Sequence, residues 1–551
     1  MDPQRPIHTP RLPLRTRILD TIYRRPKQMM HPLGYWAAVC TIVGLLIGLP
    51  FYPPIRRLYV KPSPSPTPTP VQLRTKYRVL VPLAATSSEY LAFIRSKENG
   101  PYEGKYSSKA SQNIREIVKA AKGQWFFDQE QNNAPKVFRD ETDVDFFFFP
   151  EGYPEGNESE PVSYKTAFEK AWHASEEANR EVIAVLGNVS STATVRYGKF
   201  CGEKNIPMVL PLATATDITH TLEVLKVPAV LRLPPANDKQ AKEIADFLLR
   251  NKVRRTVIVK DISNDAYSRD LVQGFREYYV EKPLSSPERR AADDFGQIIG
   301  VIPVAGSETG PFLYSELGNR AGTALLIVGM TNSSIETIAQ LNALRTNYQY
   351  VILTDGAVDQ YLGPQIKAIQ GVGKLSNLYM SFPTPCAMPK ALADYLKRDT
   401  TLKMADFEMT HSLFVADASY IILSMLANGL RADSGKKGND IIAGAITKVK
   451  DQARQREDDK SKANPESPIV EPIGHPVECN LPFPEGGKRE YEIDKFGNAV
   501  NSRYSLYSIE VVPGAQNNEL RWRQTTGDAG AQCVDESPPP ATTKSSRASR
   551  R

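Results

Sequence analysis

The chain has 551 residues, 41% of them hydrophobic, and a formal net charge of +7. This composition supplies enough apolar side chains for roughly two to four compact units. The positive charge is concentrated at the two ends, and the middle of the chain has no basic stripe with interleaved aromatic residues, so the composition does not indicate a nucleic-acid-binding surface.

Residues 34–52 are an apolar run without a charged residue. At about 1.5 Å per residue, a helix of this length nearly spans a bilayer core of about 30 Å. Seven arginines and lysines precede the run and only three follow it closely, so the positive-inside rule predicts a cytoplasmic N-terminus and an exported remainder. We therefore expect an uncleaved transmembrane signal anchor; a cleaved signal peptide and a buried soluble helix are the alternatives.

The segments around this anchor differ from it in composition. Residues 1–33 are predicted to be a cytoplasmic basic tail. Residues 53–76 form a Pro-rich linker with proline at every second position from 62 to 70, a pattern that favours stiff, extended polyproline II. Residues 524–551 are polar and rich in Pro, Ser and Arg, so we expect a disordered tail.

From residue 77 onward, short β-branched apolar runs alternate with segments of helical periodicity. The predicted strands are 77–83, 143–150, 182–187, 206–211, 255–261, 298–305, 323–330 and 349–355. The predicted helices are 111–122, 164–180, 192–204, 238–251, 268–280, 312–319 and 334–345. Strands separated by helices of this length predict βαβ crossovers and therefore an α/β fold with parallel sheets.

Residue types that carry catalytic or metal chemistry are sparse. None of the five cysteines forms a CxxC pair, and the six histidines have no metal-ligand spacing. Four cysteines, at positions 201, 386, 479 and 533, form up to two disulfides in an oxidising compartment or remain buried thiols; the sequence leaves both readings open. Without a P-loop, a GxSxG motif or a GxGxxG after a strand, we predict no cofactor, no metal and no enzymatic activity.

Two segments resemble the type I periplasmic solute-binding family, which includes the branched-chain amino-acid-binding proteins and related receptor ligand-binding regions. Residues 182–219 are similar to the family's strand, Ser-rich turn, helix, second strand and Ala-Thr loop. Residues 229–270 are similar to its crossover strand, second-lobe helix and strand, and Asp-x-Tyr turn. Residues 411–429 and 494–511 resemble the family's long lobe-one helix and its closing hairpin.

The resemblance implies two doubly wound parallel-sheet lobes joined by hinge strands, over residues 77–523. Lobe I is then expected at about 77–228 and 383–450, and lobe II at about 235–376 together with the C-terminal hairpin. The crossings near 227–234 and 377–383 are the expected hinge strands.

Candidate ligand-binding residues of lobe I follow two predicted strands, because ligands of open parallel sheets bind outside the carboxyl ends of the strands. Ser190, Ser191 and Thr192 open a helix, where hydroxyls and free N–H groups favour a carboxylate. The resemblance implies that Ser191 and Thr214 hold the ligand carboxylate and that the carbonyl of Leu212 meets the ligand amine. Simple helix capping and loop capping are the alternatives.

Lobe II supplies the other candidates. The resemblance implies that Asp355, at the end of strand 349–355, pairs with a ligand ammonium, and an Asp-Gly turn is the alternative. Tyr267 is expected to line the cleft mouth or to pack in the core. Met330 stands where the family usually has an aromatic residue over its ligand.

The sequence thus predicts a membrane-tethered, non-catalytic clamp that closes on a small, amino-acid-like solute. The expected partners are that solute, an ABC permease or a membrane receptor, and the bilayer, which one helix crosses. The alternative function is a sensory or regulatory receptor-like protein that uses the same fold to bind a protein partner. The binding domain is expected in the periplasm or outside the cell.

Overall fold

The computed structural model describes residues 76–96, 102, 104, 106, 109–131, 137–138, 140–152, 162–187, 190–285, 295–304, 321–344, 347–357, 377–383, 412–463, 491, 493–499, 504–511 and 520–524. The chain divides into two compact units, Met1–Arg74 and Thr75–Arg551, and every described residue belongs to the second. Among the described residues, no helix is long and apolar enough to cross a membrane.

Several sequence predictions concern parts of the chain outside the described residues. These are the basic tail, the anchor and the linker up to residue 75, the helix at 312–319, the tail after residue 524, and four of the five cysteines. The fifth, Cys201, is a buried free thiol.

The described elements follow the predicted alternation closely. The strands are β1 (Lys76–Leu83), β2 (Val144–Pro150), β3 (Arg180–Leu186), β4 (Met208–Leu210), β5 (Val230–Arg232), β6 (Arg255–Asp261), β7 (Gln297–Val304), β8 (Ala324–Val328), β9 (Tyr350–Leu353), β10 (Leu378–Pro383), β11 (Tyr504–Val511) and β12 (Leu520–Gln524). The helices are α1 (Ser87–Arg95), α2 (Lys109–Gln131), α3 (Val162–Glu177), α4 (Ser191–Lys204), α5 (Ile218–Val224), α6 (Asn237–Arg250), α7 (Asp265–Arg276), α8 (Thr331–Leu344), α9 (Ser412–Ala432) and α10 (Gly438–Ala463).

Lobe I is built on a five-stranded parallel sheet in the order β2-β1-β3-β4-β5. From Val79 to Leu83 in β1 and from Val182 to Leu186 in β3, the central strands are uninterrupted apolar runs, which is typical of parallel strands covered on both faces. One face packs against α2, α9 and α10, and the other packs against α1, α3, α4 and α5. The carboxyl ends of all five strands therefore lie at the same edge of the sheet.

Lobe II is built on a seven-stranded sheet in the order β12-β11-β10-β9-β8-β6-β7. Strands β10, β9, β8, β6 and β7 run parallel, whereas β11 is antiparallel to both β10 and β12. Helices α6 and α7 cover one face and α8 covers the other. Helix α7 continues through a π-helical turn, Glu277–Glu281, into a last helical turn.

The interpretation of residues 494–511 as one closing hairpin is wrong. Asn498 bridges to Arg232 beside the lobe I sheet, and Tyr491, Ile493 and Ala499 belong to the lobe I core. The chain then crosses to lobe II, where Tyr504 begins β11 and the hairpin is formed by β11 and β12. A crossing between residues 499 and 504 thus accompanies the two that the sequence predicts.

Candidate functional site

The strand ends of the two lobes meet around the start of helix α4. Ser190 caps this helix, because its Oγ accepts the N–H of Ala193 at 3.1 Å. Ser191 is buried, and its Oγ accepts the N–H of Ala215 at 3.2 Å. The two serines therefore have different roles: Ser190 caps the N-terminus of the helix, and Ser191 links the helix to the loop after β4.

Thr192 reaches across to lobe II. Its Oγ1 donates to Oδ1 of Asn264 at 3.0 Å and accepts the N–H of Ala266 at 3.2 Å. Asn264 precedes α7, which belongs to lobe II. The start of α4 thus contacts the start of α7 directly, and both ends carry polar groups.

The loop after β4 makes a second connection between the lobes. The N–H and the Oγ1 of Thr216 both donate to Oδ2 of Asp270 on α7, at 2.8 and 3.0 Å. Thr214 is buried, and its carbonyl accepts the N–H of Asn237 at the start of α6 at 2.8 Å. Leu212 is half-buried against the lobe I core. The loop that is predicted to bind a ligand is therefore hydrogen-bonded to residues of lobe II.

Burial raises the pKa of the Asp270 carboxyl, while the donors on Thr216 and Asn237 oppose that change. The nearby negative charge of Asp217 raises the pKa a little further. The lobe contact thus contains a carboxylate whose charged form is disfavoured by its surroundings.

Asp355 is almost fully buried, with 2% of its surface exposed, and the protein supplies donors to both of its oxygens. Tyr267 donates to Oδ1 at 2.5 Å, and Tyr504 donates to Oδ2 at 3.1 Å. The N–H of Gly356 also donates to Oδ1, at 3.1 Å. Burial raises the pKa of both tyrosine hydroxyls, and the charge of Asp355 raises them further. An incoming ammonium group would have to compete with these donors.

Tyr267 and Met330 are the other two candidates of lobe II. Tyr267 is 4% exposed and packs in the lobe II core, so it does not line an open cleft mouth. Met330 is half-buried, its N–H donates to Asp261 Oδ2 at 3.3 Å, and its sulfur lies 3.9 Å from the side-chain nitrogen of Asn264. Met330 therefore stands next to the lobe contact.

Arg232 is a buried cation at the first crossing. Its Nη1 donates to the carbonyl of Ala215 at 2.5 Å, and its N–H donates to the carbonyl of Gly497 at 2.8 Å. Burial lowers the pKa of the guanidinium, and Asp238 is the acid that opposes this most. Arg232 thus joins the β4 loop to the turn that precedes the third crossing.

Sequence reasoning missed the lobe II partners and the hinge cation, namely Asn264, Asp270, Arg232 and Tyr504. No local motif marks them, although Asn264 and Asp270 flank the Asp-x-Tyr turn that the resemblance identifies. Within the described part of the chain, no group of three or more His, Cys, Asp or Glu residues is arranged to hold a metal ion. What the arrangement offers is hydroxyls, amides and carboxylates between two lobes, which suits recognition of a polar ligand.

No sequence-family model matches the chain, and no curated protein matches it. Solved structures do match. The isoleucine complex of LivJ, a branched-chain amino acid transporter substrate-binding protein from Streptococcus pneumoniae, is 13% identical, with a TM-score of 0.51 over 82% of this chain and 100% of that one. An ABC-transporter solute-binding protein from Rhodopseudomonas palustris, in complex with 3,4-dihydroxybenzoic acid, is 13% identical, with a TM-score of 0.50 over 82% and 96%.

These likenesses confirm the predicted resemblance at the level of the fold. The α/β architecture with parallel sheets is that of the type I periplasmic solute-binding proteins. These two neighbours are solute-binding components of transporters, and their bound ligands are an amino acid in one and an aromatic acid in the other. The ligand of the present chain has to be argued from its own site.

Replacing Asp355 tests whether its tyrosine partners make it a structural residue. Asp355→Ala leaves the buried hydroxyl of Tyr267 without its acceptor and leaves that of Tyr504 only the carbonyl of Pro235, at 3.4 Å. We therefore expect the free energy of unfolding to fall by about 1–3 kcal/mol for the first hydroxyl and by less for the second. Asp355→Asn keeps one acceptor oxygen and is expected to cost less. Urea denaturation of residues 75–551 measures both. An Asp355→Ala variant as stable as wild type would show that the tyrosines do not depend on this acid.

Asp270 is expected to make stability depend on pH. The pKa of the Asp270 carboxyl is raised in the folded state. Its favourable contribution to the free energy of unfolding is therefore complete below the pKa of an unfolded aspartate, about 3.9, and is lost as the pH rises through the folded pKa. Asp270→Asn retains an acceptor for Thr216 and removes the half-buried charge. We therefore expect this variant to gain stability relative to wild type between pH 4 and 7.

Urea denaturation at several pH values measures that gain. Asp433→Asn is the matched control, since it removes an exposed carboxylate. If the stabilities of wild type and Asp270→Asn run parallel over this interval, the raised pKa of Asp270 is contradicted.

Proposed function

We propose that this chain is a membrane-tethered, extracytoplasmic solute-binding protein that closes its two lobes on a small, carboxylate-bearing, amino-acid-like solute. The observation that carries the proposal is the direct meeting of polar strand ends from two parallel sheets, through Thr192 with Asn264 and Thr216 with Asp270. In this fold the ligand binds where those ends meet. An ABC permease is the proposed recipient of the solute.

The start of α4 is the proposed carboxylate site. The Oγ of Ser191 accepts a hydrogen bond from the N–H of Ala215. The hydroxyl hydrogen of Ser191 has no acceptor among the described residues. Helix α4 has 14 residues, and its N-terminal N–H groups add a favourable field for an anion. Ser190 and Thr192 position this helix end from either side of Ser191. A carboxylate at this point gains both a hydroxyl donor and the positive end of the helix.

The proposed mechanism is a shift between open and closed lobes. The lobe contacts of Thr192 and Thr216 consist of hydrogen bonds that water replaces when the lobes part, so their net contribution is about 1 kcal/mol each. A solute that bonds to both lobes adds its own contacts in the closed state only, and closure follows from that difference in affinity. The three crossings are the segments about which the lobes would rotate.

One observation favours the alternative function, in which the fold binds a protein partner as a sensory or regulatory receptor does. The acid expected to receive a ligand ammonium, Asp355, already accepts hydrogen bonds from Tyr267, Tyr504 and Gly356. The lobes also bond to each other directly through α4 and α7. When the polar groups of the two lobes are already hydrogen-bonded within the protein, fewer of them are left to bind a solute.

Membrane tethering rests on the sequence of residues 34–52 and on the charges around it. In the proposed topology this segment is an uncleaved helix, residues 1–33 stay in the cytoplasm, and the Pro-rich linker lifts the two-lobed unit away from the bilayer. A periplasm-dependent reporter enzyme fused after residue 551 is expected to be active. An inactive reporter, with an intact fusion protein in the membrane fraction, would contradict this orientation.

Isothermal titration of residues 75–551 with a panel of amino acids and simple carboxylic acids tests solute binding. We expect at least one compound to bind, and Thr214→Val to weaken it about tenfold, which corresponds to 1.4 kcal/mol for one lost hydrogen bond. Thr447→Val, at an exposed position on α10, is the matched control and should bind as wild type does. If no compound of the panel binds, solute binding is contradicted and the protein-partner alternative is favoured.

A further inference from the structure

A pocket on lobe II lies at the opposite end of the sheet from the lobe contact. It forms where β6 and β7 begin, whereas the lobe contact follows the strand ends. The seven residues of β6 run from the pocket to the lobe contact, a distance of about 20 Å. The pocket has a volume of about 470 Å³ and is lined by Arg254, Arg255, Arg276, Val280, Phe295, Gly296, Gln297 and Ile298. A ligand here would not touch the proposed solute site.

Three of these eight lining residues are arginines, and none is acidic. Arg254 is held in place, because its Nη1 donates to the carbonyl of Leu249 in the last turn of α6 at 2.9 Å. Arg255 and Arg276 are exposed, and neither has an ion pair or a hydrogen bond to a described residue. The pocket wall therefore concentrates positive charge that its own lining does not neutralise.

Helix ends account for part of this arrangement. Arg254 caps a carbonyl in the last turn of α6, where a cation interacts favourably with the helix dipole. Arg276 has no such role, since α7 continues past it through a π-helical turn into a last helical turn. Arg255 has none either, since it is the first residue of β6. Bringing a third guanidinium to the same concave wall adds repulsion, which a bound anion would reverse.

The backbone fixes the shape of this wall. The N–H of Gly296 donates to the carbonyl of Tyr279 at 2.7 Å, and the N–H of Gln297 donates to the carbonyl of Arg254 at 2.7 Å. A Cβ atom at position 296 would collide with the ring of the fully buried Tyr279. The strand start is thus held tightly against the helix that carries Arg276, and the arginines project from a rigid frame.

We infer that this pocket binds a phosphate-type anion: inorganic phosphate, a phosphate ester or the phosphate of a lipid headgroup. Guanidinium groups suit this chemistry, because their planar N–H pairs match two oxygens of a phosphate. A pocket of this size admits the anion together with a small organic group. Binding here is independent of the solute proposed for the lobe contact.

Titration calorimetry of residues 75–551 with inorganic phosphate in low-salt buffer is the first arm of the test. Cosedimentation with vesicles of phosphatidylglycerol and phosphatidylcholine, against phosphatidylcholine alone, is the second. Binding to phosphate alone identifies a soluble anion, and binding to the anionic vesicles identifies a headgroup. Either result is expected to weaken at least tenfold in the double variant Arg255→Gln and Arg276→Gln, whose side chains are exposed and carry no described structural contact.

The matched control is Lys448→Gln with Arg454→Gln, which removes the same charge from exposed positions on α10 of lobe I. The control should bind phosphate or anionic vesicles as wild type does. Equal weakening of binding in both double variants would show that only the net charge matters, and it would overturn the proposal. Asp293 and Asp294 precede the pocket wall in the sequence and lie outside the described residues. If acids of the chain itself neutralise the arginines, wild type binds neither phosphate nor anionic vesicles, and that result also overturns it.

Discussion

The contact between the loop after β4 and helix α7 is the interaction on which the site depends. Thr216 places two donors on one oxygen of Asp270, and Thr192 bonds to Asn264 at the start of the same helix. All of these groups follow parallel strands, because the carboxyl ends of such strands gather at one edge of each sheet. The polar meeting of the lobes is therefore a direct result of how the two sheets are wound.

Buried polar groups in this region are paired through residues far apart in the chain. Asp355 accepts hydrogen bonds from Tyr267 on α7 and from Tyr504 on β11. Arg232 is hydrogen-bonded to backbone groups of the β4 loop and of residues 497–499. An unpaired buried charge is costly, so these partners fix the crossings relative to the lobes. Any solute at the lobe contact must fit a framework in which the buried Asp355 is already hydrogen-bonded.

The two ends of lobe II differ in chemistry. At the end that faces lobe I, carboxylates such as Asp261 and Asp270 are bonded to hydroxyls and backbone N–H groups. At the other end, Arg254, Arg255 and Arg276 line a pocket that has no acidic residue in its wall. One sheet thus presents two separate polar surfaces, of which only the first faces lobe I.

The sequence by itself determined the class of the fold and most of the elements. The strand at 255–261 was predicted with the bounds that the structure has, and the helix at 192–204 begins one residue earlier than predicted, because apolar periodicity and N-capping are local properties of the chain. It also identified Ser190, Ser191 and Thr214 as groups at strand ends.

Only the tertiary structure decided what those groups contact. Thr216 and Asp270 are 54 residues apart, and Tyr504 and Asp355 are 149 residues apart, so no local pattern relates them. The closing hairpin was misplaced for the same reason: β11 is defined by its pairing with β10, more than a hundred residues earlier, and not by the turn before it. Periodicity tells which face of a segment is buried, whereas the partner it is buried against depends on the folded chain.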